Sequence, residues 1–301
     1  MAIYDANGLE LTSAYDADGD ELDFAYDADG DVVYQRVEPE GLRLKVMQYN
    51  VGGWYNGTGQ SVPSAYDQLY YDLQNGMISR NNPDILTLEE YRSEFTTGGR
   101  TAQSMLSQYF PYIHEENGTS EYLGRAICSK YPIVSYERKG FTDDVGKYYD
   151  TAQINVNGTT VTVIVTHFST SGELRPNESA VLLAYAQTLD NVIIGGDFNL
   201  HCHSKTDTFP VTGMVEWESY EPWVEAGYHL ANNDDRFGFI DTAYNPTYQW
   251  WYGLDNIIVS PDIYIYSVTT DRTKVTSPIT SDPAWRIDHI PLIAAVYVPE
   301  S

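Results

Sequence analysis

Cysteine is scarce. Cys128 and Cys202 are the two in 301 residues, so one disulfide can form but nothing demands it, and no structural zinc spacing of cysteines exists. Long apolar runs are missing too, and none approaches the length that spans a bilayer. The N-terminus is acidic and polar, unlike a secretory signal or a transit peptide, so a cytoplasmic location is the default expectation. Bases are few: 17 Lys and Arg stand against 43 Asp and Glu, a formal net charge of -26. That balance argues against broad electrostatic capture of nucleic acid, which replaces counterions with Lys and Arg. It leaves room for a phosphate substrate if bound cations offset the charge locally.

What is present is an apolar fraction of 42% and 26 tyrosines, compatible with a packed core and with aromatic tips lining a cleft. The length suits one large domain or two ordinary ones. The first 41 residues hold 12 acids and one base, Arg36, and carry an internal repeat. Tyr4-Asp5-Ala6-Asn7-Gly8, Tyr15-Asp16-Ala17-Asp18-Gly19 and Tyr26-Asp27-Ala28-Asp29-Gly30 recur every 11 residues. Each Asn-Gly or Asp-Gly suits a tight turn between short strands, so residues 1–40 read as small hairpins or a β-roll. Asp16, Asp18 and Asp20 have the spacing of a calcium loop, but the glycine falls at the fourth position and not the sixth. Acidic turns are therefore preferred over Ca²⁺ there. Glu38-Pro39-Glu40-Gly41 reads as the linker to a domain over 42–301.

The densest stretch is Asn191 to Leu200. An unbroken apolar run meets Gly195-Gly196, then Asp197 and Asn199. The run predicts a strand buried on both faces. The glycines permit close packing and a sharp turn, and the two polar residues fall just past the strand end, where open sheets collect their chemistry. Asp and Asn also favour turns for local reasons.

Other strand ends carry polar residues as well. Leu42 to Val51 predicts a strand on which Leu44, Val46, Gln48 and Asn50 share the buried face. Asp84 to Leu88 ends in Glu89-Glu90, which can be solvated or can hold a cation. Gly124 to Ile133 predicts a strand in which Cys128 is a small core residue and Arg125 serves either an anion or a surface ion pair. Thr151–Val156 and Thr159–Thr166 predict a hairpin about Asn157-Gly158, with Val161, Val163, Val165 and His167 on one face. Leu254 to Val259 puts Asp255 beside Ile257 and Val259, where a carboxylate needs a partner. Asp288-His289 precede a last strand, Leu292 to Val298. Helices are predicted over Ser64–Arg80, Thr101–Tyr109, Glu178–Leu189 and Trp217–Gly227. His201-Cys202-His203 invites a zinc reading, but no further cluster completes four ligands. Tyr244, Tyr248, Trp250, Trp251 and Tyr252 can stack on bases, meet a lipid interface or cover a core.

Six stretches in order, Gln48-Tyr49-Asn50, Leu88-Glu89-Glu90, Thr166-His167-Phe168, Gly196-Asp197-Phe198-Asn199, Leu254-Asp255-Asn256-Ile257 and Asp288-His289, resemble the endonuclease/exonuclease/phosphatase superfamily with its DNase I-like fold. The resemblance spans roughly residues 42–299. It implies an α/β (α+β) fold, a four-layer α/β/β/α sandwich of two mostly antiparallel sheets, and Mg²⁺- or Mn²⁺-dependent hydrolysis of a phosphoester. By the same resemblance Glu90 is the main metal ligand, with Asn50 and Asp288 beside it. His289 is the base held by Asp255, Asp197 and Asn199 orient nucleophile and phosphate, and His167 donates to a phosphate oxygen. Arg125, Trp250 and Trp251 are the substrate-binding candidates. Glu89 stands where many members have glutamine, Ile287 where serine is common, and Arg125 where asparagine is frequent.

Three functions remain open at this point. A nuclease-type phosphodiesterase, with nucleic acid as partner, is favoured. A sphingomyelinase-like or inositol-phosphate-type phosphoesterase fits the acidity and Trp250-Trp251. An attachment protein, phage- or surface-associated, would work through self-association or binding by the repeats.

Overall fold

The computed structural model describes residues 24–26, 32–35, 40–52, 75–91, 96–97, 100–116, 124–141, 147–200, 216–233, 236, 240–245, 250–271 and 289–300. The chain divides into two compact units, Met1–Glu40 and Gly41–Ser301. In the first, β1 (Phe24–Tyr26) and β2 (Val32–Gln35) pair antiparallel across the third repeat. The calcium-like triad Asp16, Asp18 and Asp20 lies outside the described residues.

Two six-stranded sheets and a short antiparallel pair, β5 (Thr96–Thr97) and β6 (Arg100–Thr101), belong to the second unit. In one the order is β17-β18-β3-β4-β8-β7, built from Tyr264–Thr270, Leu292–Val298, Leu42–Asn50, Ile85–Tyr91, Gly124–Ser129 and Tyr112–Glu116. In the other it is β13-β16-β12-β11-β10-β9, built from His229–Leu230, Asp255–Val259, Val192–Asp197, Thr159–His167, Tyr148–Val156 and Ile133–Gly140. Each sheet is antiparallel except for one central pair: β3 runs parallel to β4, and β11 parallel to β12. The hairpin turn falls at Asn157 and Gly158, both with positive φ, as an Asn-Gly turn requires.

Alternation along the strands builds three apolar layers. Leu44, Val46, Ile85, Ile127, Val161, Val163, Val165, Ile193, Ile257, Leu292 and Ala294 form the layer between the sheets. The opposite face of the first sheet buries Met47, Tyr49, Leu86 and Leu88 under α1 (residues 75–81) and α2 (Ala102–Leu106). The opposite face of the second buries Ile164, Val192, Ile194 and Ile258 under α3 (Arg175–Ala186) and α4 (Glu221–Glu225). The result is the expected four-layer sandwich. Among the described residues no helix is long and apolar enough to cross a membrane.

Boundaries moved where local chemistry competes with periodicity. α3 starts at Arg175 rather than Glu178, because Pro176 suits a first helical turn. The Gly195-Gly196 pair lies inside β12 and makes no turn; Asp197 is the last strand residue, not the first beyond it. A Cβ at Gly195 would sit 2.1 Å from Thr87 Oγ1 of the facing sheet, and one at Gly196 would sit 2.6 Å from the Thr166 carbonyl oxygen. Gly195 therefore sets the close approach of the two sheets, and Gly196 the fit of β12 against its neighbour β11. β4 likewise continues through Glu89 and Glu90 to Tyr91 instead of stopping at Leu88.

Candidate active site

The inter-sheet layer changes character at one end. Stepping by two residues along β3, Leu44 and Val46 give way to Gln48 and Asn50. Along β4, Ile85 gives way to Thr87 and Glu89; along β11, Val163 and Val165 give way to His167; along β12, Ile193 gives way to Gly195 and Asp197. β16 and β8 run the other way, so Asp255, the first residue of β16, and Arg125, the second of β8, arrive at the same rim. Two parallel strand pairs, one per sheet, thus end together. Open α/β sheets place their ligands in the same way.

Glu90 needs one further device. Strict alternation would turn it away from the rim with Leu86 and Leu88. The ladder between β4 and β8 shifts register between Glu89 and Tyr91, and Glu90 has φ 54°. A bulge of this kind re-aims a side chain, and a left-handed Glu is strained backbone of the sort that collects at working sites. Glu90 Oε1 consequently lies 3.2 Å from Asn50 Nδ2, which also donates to Asp197 Oδ2 at 3.0 Å. The Asn50 amide oxygen accepts from the Gly52 N–H. Asn50 therefore presents its nitrogen to two carboxylates that converge on one point.

Asp197 divides its oxygens. Oδ1 accepts from the Asn199 N–H at 2.9 Å, the Asx turn that its sequence context suggests. Oδ2 faces Asn50, His167 Nε2 at 3.6 Å and His289 Nε2 at 3.7 Å. Asn199, also left-handed at φ 52°, donates its amide to the Phe168 carbonyl and so ties the loops after β11 and β12 together. His289 Nδ1 pairs with Asp255 Oδ2 at 2.8 Å. The second Asp255 oxygen accepts from Gln48 Nε2 at 2.9 Å, and the same nitrogen donates to Glu89 Oε2 at 2.7 Å. Thr242 Oγ1 accepts from the N–H groups of Leu254 and Asp255, fixing the start of β16.

Burial and like charge set the ionisation of these groups. Burial raises the Glu89 carboxyl well above its ordinary range, and the Asp255 charge adds to the effect. Burial also pushes Asp197 up to about 7; His289 opposes this and Asp255 reinforces it. His167 goes the other way, held well below its usual value by burial and by the positive charges of Lys147 and Arg125. It is a neutral imidazole at pH 7, with one N–H to donate.

A divalent cation fits this rim. Glu90 and Asp197 aim oxygens at the Asn50 nitrogen, and Glu89 and Asp255 lie close behind. Asp197, Asp255 and His289 also bring ligand atoms within 4.8 Å of one another. Crowded carboxylates with raised pKa are what a hard cation relieves, and their oxygens are the donors that Mg²⁺ or Mn²⁺ prefers. Both Asp255 oxygens are engaged by Gln48 and His289, and the Asn50 amide would have to turn over to offer its oxygen to an ion between Glu90 and Asp197.

The remaining sequence candidates are less central. Arg125 is buried and paired with Asp150 at 3.2 Å, so its ion pair is not a surface one. Trp250 and Trp251 form β15 (Trp250–Tyr252), which pairs with β14 (Ala243–Asn245); Ala243 bridges to the His289 backbone, so this hairpin borders the site. The side chains of both tryptophans lie outside the described residues, as do Asp288 and His201-Cys202-His203. Gln48 is the residue that the sequence reading missed as a site member. Its place on the inward face, two before Asn50, was the available signal.

The family model described as Endonuclease/Exonuclease/phosphatase family matches residues 47–290. The chain belongs to this family. Members of the endonuclease/exonuclease/phosphatase family are phosphoester hydrolases that in general use a divalent metal, and the likeness read from six short stretches is borne out. An RHS Repeat model matches residues 4–43, the repeat segment. No curated protein matches the chain. Among solved structures, a family protein from Bacteroides thetaiotaomicron is 16% identical with TM-score 0.61, covering 87% of this chain and 100% of its own. The 3' phosphatase NExo from Neisseria, bound to product DNA hairpin, is 16% identical with TM-score 0.59, covering 83% and 98%. The human Nocturnin catalytic domain with bound sulfate is 17% identical with TM-score 0.56, covering 84% and 93%. At these identities the structures establish the shared fold.

Proposed function

We propose that this chain is a Mg²⁺- or Mn²⁺-dependent phosphodiesterase of nuclease type. The observation that carries the reading is the relay Gln48–Asp255–His289, whose imidazole Nε2 faces Asp197 and, beyond it, His167. A phosphodiester is an anion that repels nucleophiles, so its hydrolysis needs a base for water and positive charge at phosphate oxygen.

His289 supplies the base. Asp255 accepts the Nδ1 proton, fixes the tautomer and stabilises the cation that forms, leaving Nε2 to take the proton of water. Asp197 positions that water, held in turn by Asn50 and the Asn199 turn. Asn199 keeps a second amide proton for a phosphate oxygen, adding no repulsion. Neutral His167 donates its N–H to the same phosphate. Glu90, Asp197, Asn50 with its amide turned over, and Asp288 would hold the cation. When bound, it supplies Lewis-acid stabilisation of charge on the phosphate.

The test is hydrolysis of DNA, RNA and bis-(p-nitrophenyl) phosphate by the full chain, with and without Mg²⁺ or Mn²⁺. The reading expects activity that EDTA abolishes and that both Asp197→Ala and His289→Ala remove. Activity indifferent to EDTA and to both substitutions would reject it. The chain's net charge of -26 favours a second reading, a small or lipid-headgroup phosphoester, because long polyanions are repelled. Headgroup release from sphingomyelin vesicles, with nucleic acids untouched, would select that reading. Hydrolysis of nothing, with partner binding lost on deleting residues 1–40, would favour an attachment role for the repeats.

A further inference from the structure

β11 ends at His167, and the loop that follows is held by charged side chains of the helix it leads into. The last rung between β11 and β12 pairs His167 with Asp197, and the Phe168 N–H adds one bond to the Asp197 carbonyl. There the ladder stops and α3 takes over. Glu178 Oε2 accepts from the Ser169 N–H at 2.8 Å. Arg175 Nη1 donates to the Thr170 carbonyl at 2.9 Å and to the Ser169 carbonyl at 3.4 Å. Arg175 Nη2 pairs with Glu216, which anchors this bracket from the far side. Asn199 Nδ2 holds the Phe168 carbonyl at 3.0 Å. Both backbone polar groups of Phe168 and of Ser169, and the Thr170 carbonyl, therefore have fixed partners directly after the His167 imidazole.

Surface loops leave many such groups to water. Here Arg175, Glu178 and Glu216 are 6%, 1% and 4% exposed. α3 also carries Leu182 and Leu183, which pack with Phe168, Phe198 and Trp223 in an apolar layer. Buried charges cost far more than apolar groups closing the same layer, so their presence is tied to backbone placement and not to burial itself. Their geometry suits that task. A planar guanidinium has enough donors to reach two carbonyls and a carboxylate at once. The frame behind them is stiff as well. Ser179 Oγ donates to the Ser219 carbonyl and accepts from Trp223 Nε1 at 2.8 Å, which ties α3 to the helical turns at Trp217–Ser219 and Glu221–Glu225.

We propose that Arg175 and Glu178 are positioning residues: through the backbone of residues 168–170 they set the His167 imidazole and the Asn199 amide toward the phosphate. This rests on the phosphodiesterase reading above and deepens it. The bracket acts on one side of the site. His167 and Asn199 end or follow strands of the second sheet, whereas Asn50 and Glu90 come from β3 and β4 of the first. Loosening the bracket should therefore impair the phosphate contacts and leave those of Asn50 and Glu90 to a cation in place. A misplacement of about 1 Å at groups that hold a reacting phosphate costs on the order of 10²-fold in rate.

The experiment compares four kinds of full-length variant. Glu178→Ala and Arg175→Met remove bracket contacts, and Glu178→Gln keeps an oxygen for the Ser169 N–H. Leu182→Ala removes buried apolar volume from the same helix and lowers the melting temperature through a cavity. On bis-(p-nitrophenyl) phosphate, Glu178→Ala and Arg175→Met should lower kcat/KM about 10²-fold. In calorimetry they should bind inorganic phosphate, with Mn²⁺ present, about tenfold more weakly than wild type, while Mn²⁺ alone binds within about threefold. Glu178→Gln should recover most of both losses, and Leu182→Ala should keep kcat/KM within about threefold of wild type. Losses in Leu182→Ala that match Glu178→Ala would mean that the bracket serves the fold alone and would overturn the inference. So would Mn²⁺ binding that weakens in step with phosphate binding, or no recovery in Glu178→Gln. A melting curve identifies a variant that has merely unfolded; should Arg175→Met do so, the pair Glu178→Ala and Glu178→Gln decides the question. If phosphate binding follows this pattern but wild type hydrolyses no phosphoester, the positioning role stands and the phosphodiesterase reading falls. Wild type that neither binds phosphate nor hydrolyses a phosphoester overturns both.

Discussion

Along the inward faces of the central strands, the middle of the sandwich and its rim are only two residues apart, yet they obey opposite rules. In the middle, Val46, Ile85, Val163, Ile193 and Ile257 meet as apolar groups that lose nothing on leaving water. At the rim the next inward positions are Gln48, Thr87, Val165 and then His167, Gly195 and then Asp197, and Asp255. Here three carboxylates, Glu89, Asp197 and Asp255, are buried within one hydrogen-bonded neighbourhood. Such burial is unfavourable unless partners compensate it. The middle therefore supplies stability that the rim consumes, and the rim holds charges in place because the middle is rigid.

The largest way to break this contrast is at the rim. His289→Ala and Glu90→Gln should each lower kcat/KM on a phosphodiester by about 10³-fold, with the fold intact by circular dichroism. Glu90→Gln should also weaken Mn²⁺ binding in calorimetry. Variants with the same Mn²⁺ affinity as wild type would remove Glu90 from the cation site. Asp255→Asn comes next, at about 10²-fold, because His289 stays present but loses the acceptor that fixes its tautomer.

Those residues were legible in the sequence to different degrees, for physical reasons. Asn50, His167 and Asp255 follow from two-residue alternation, which fixes a face as soon as the apolar residues are seen. Glu90 does not: alternation turns it outward, and only the bulge brings it back. Family likeness supplied Glu90 where periodicity could not. Arg125 was open between anion and surface pair because a strand residue's partner lies on another strand, here Asp150 on β10. β9 went unseen because its sides are both largely polar, with Ile133 and Tyr136 half-buried and its other residues mostly exposed, so no period of two shows. The repeats were legible as repeats, and the hairpin at Phe24–Gln35 agrees with short strands about Asp-Gly. Why the chain carries Glu89 in place of glutamine has no periodic signal at all.

The boundary between middle and rim can be moved directly. Gly195→Ala places a methyl 2.1 Å from Thr87 Oγ1, so the facing sheets must part or Thr87 must shift. The expected cost is about 2 kcal/mol of unfolding free energy, with a further loss of activity as His167 and Asp197 separate from Asn50. Adding Thr87→Ala should restore part of both. Chemical denaturation of the two single variants and the double variant measures the coupling, and simple additivity would mean that the contact does not set the sheet spacing.

The finest test separates charge from shape. Asp197 and Glu89 have folded-state pKa values raised above those of the unfolded chain, so the folded state holds more protons through that window. Metal-free protein should therefore be most stable toward pH 4 to 5 from this source and lose that stability as pH rises through about 7. Acid pH has the opposite effect on ordinary carboxylates, so the comparison must be between variants. Glu89→Gln keeps an acceptor for Gln48 and removes a charge that burial and Asp255 both disfavour. Its melting temperature should exceed that of wild type by a few degrees at pH 8 and by less at pH 5. Mg²⁺ should narrow the pH 8 difference by neutralising the same cluster. An equal gain at both pH values would mean that Glu89 acts through packing, and that like charge at the rim is not what opposes the stability of the middle.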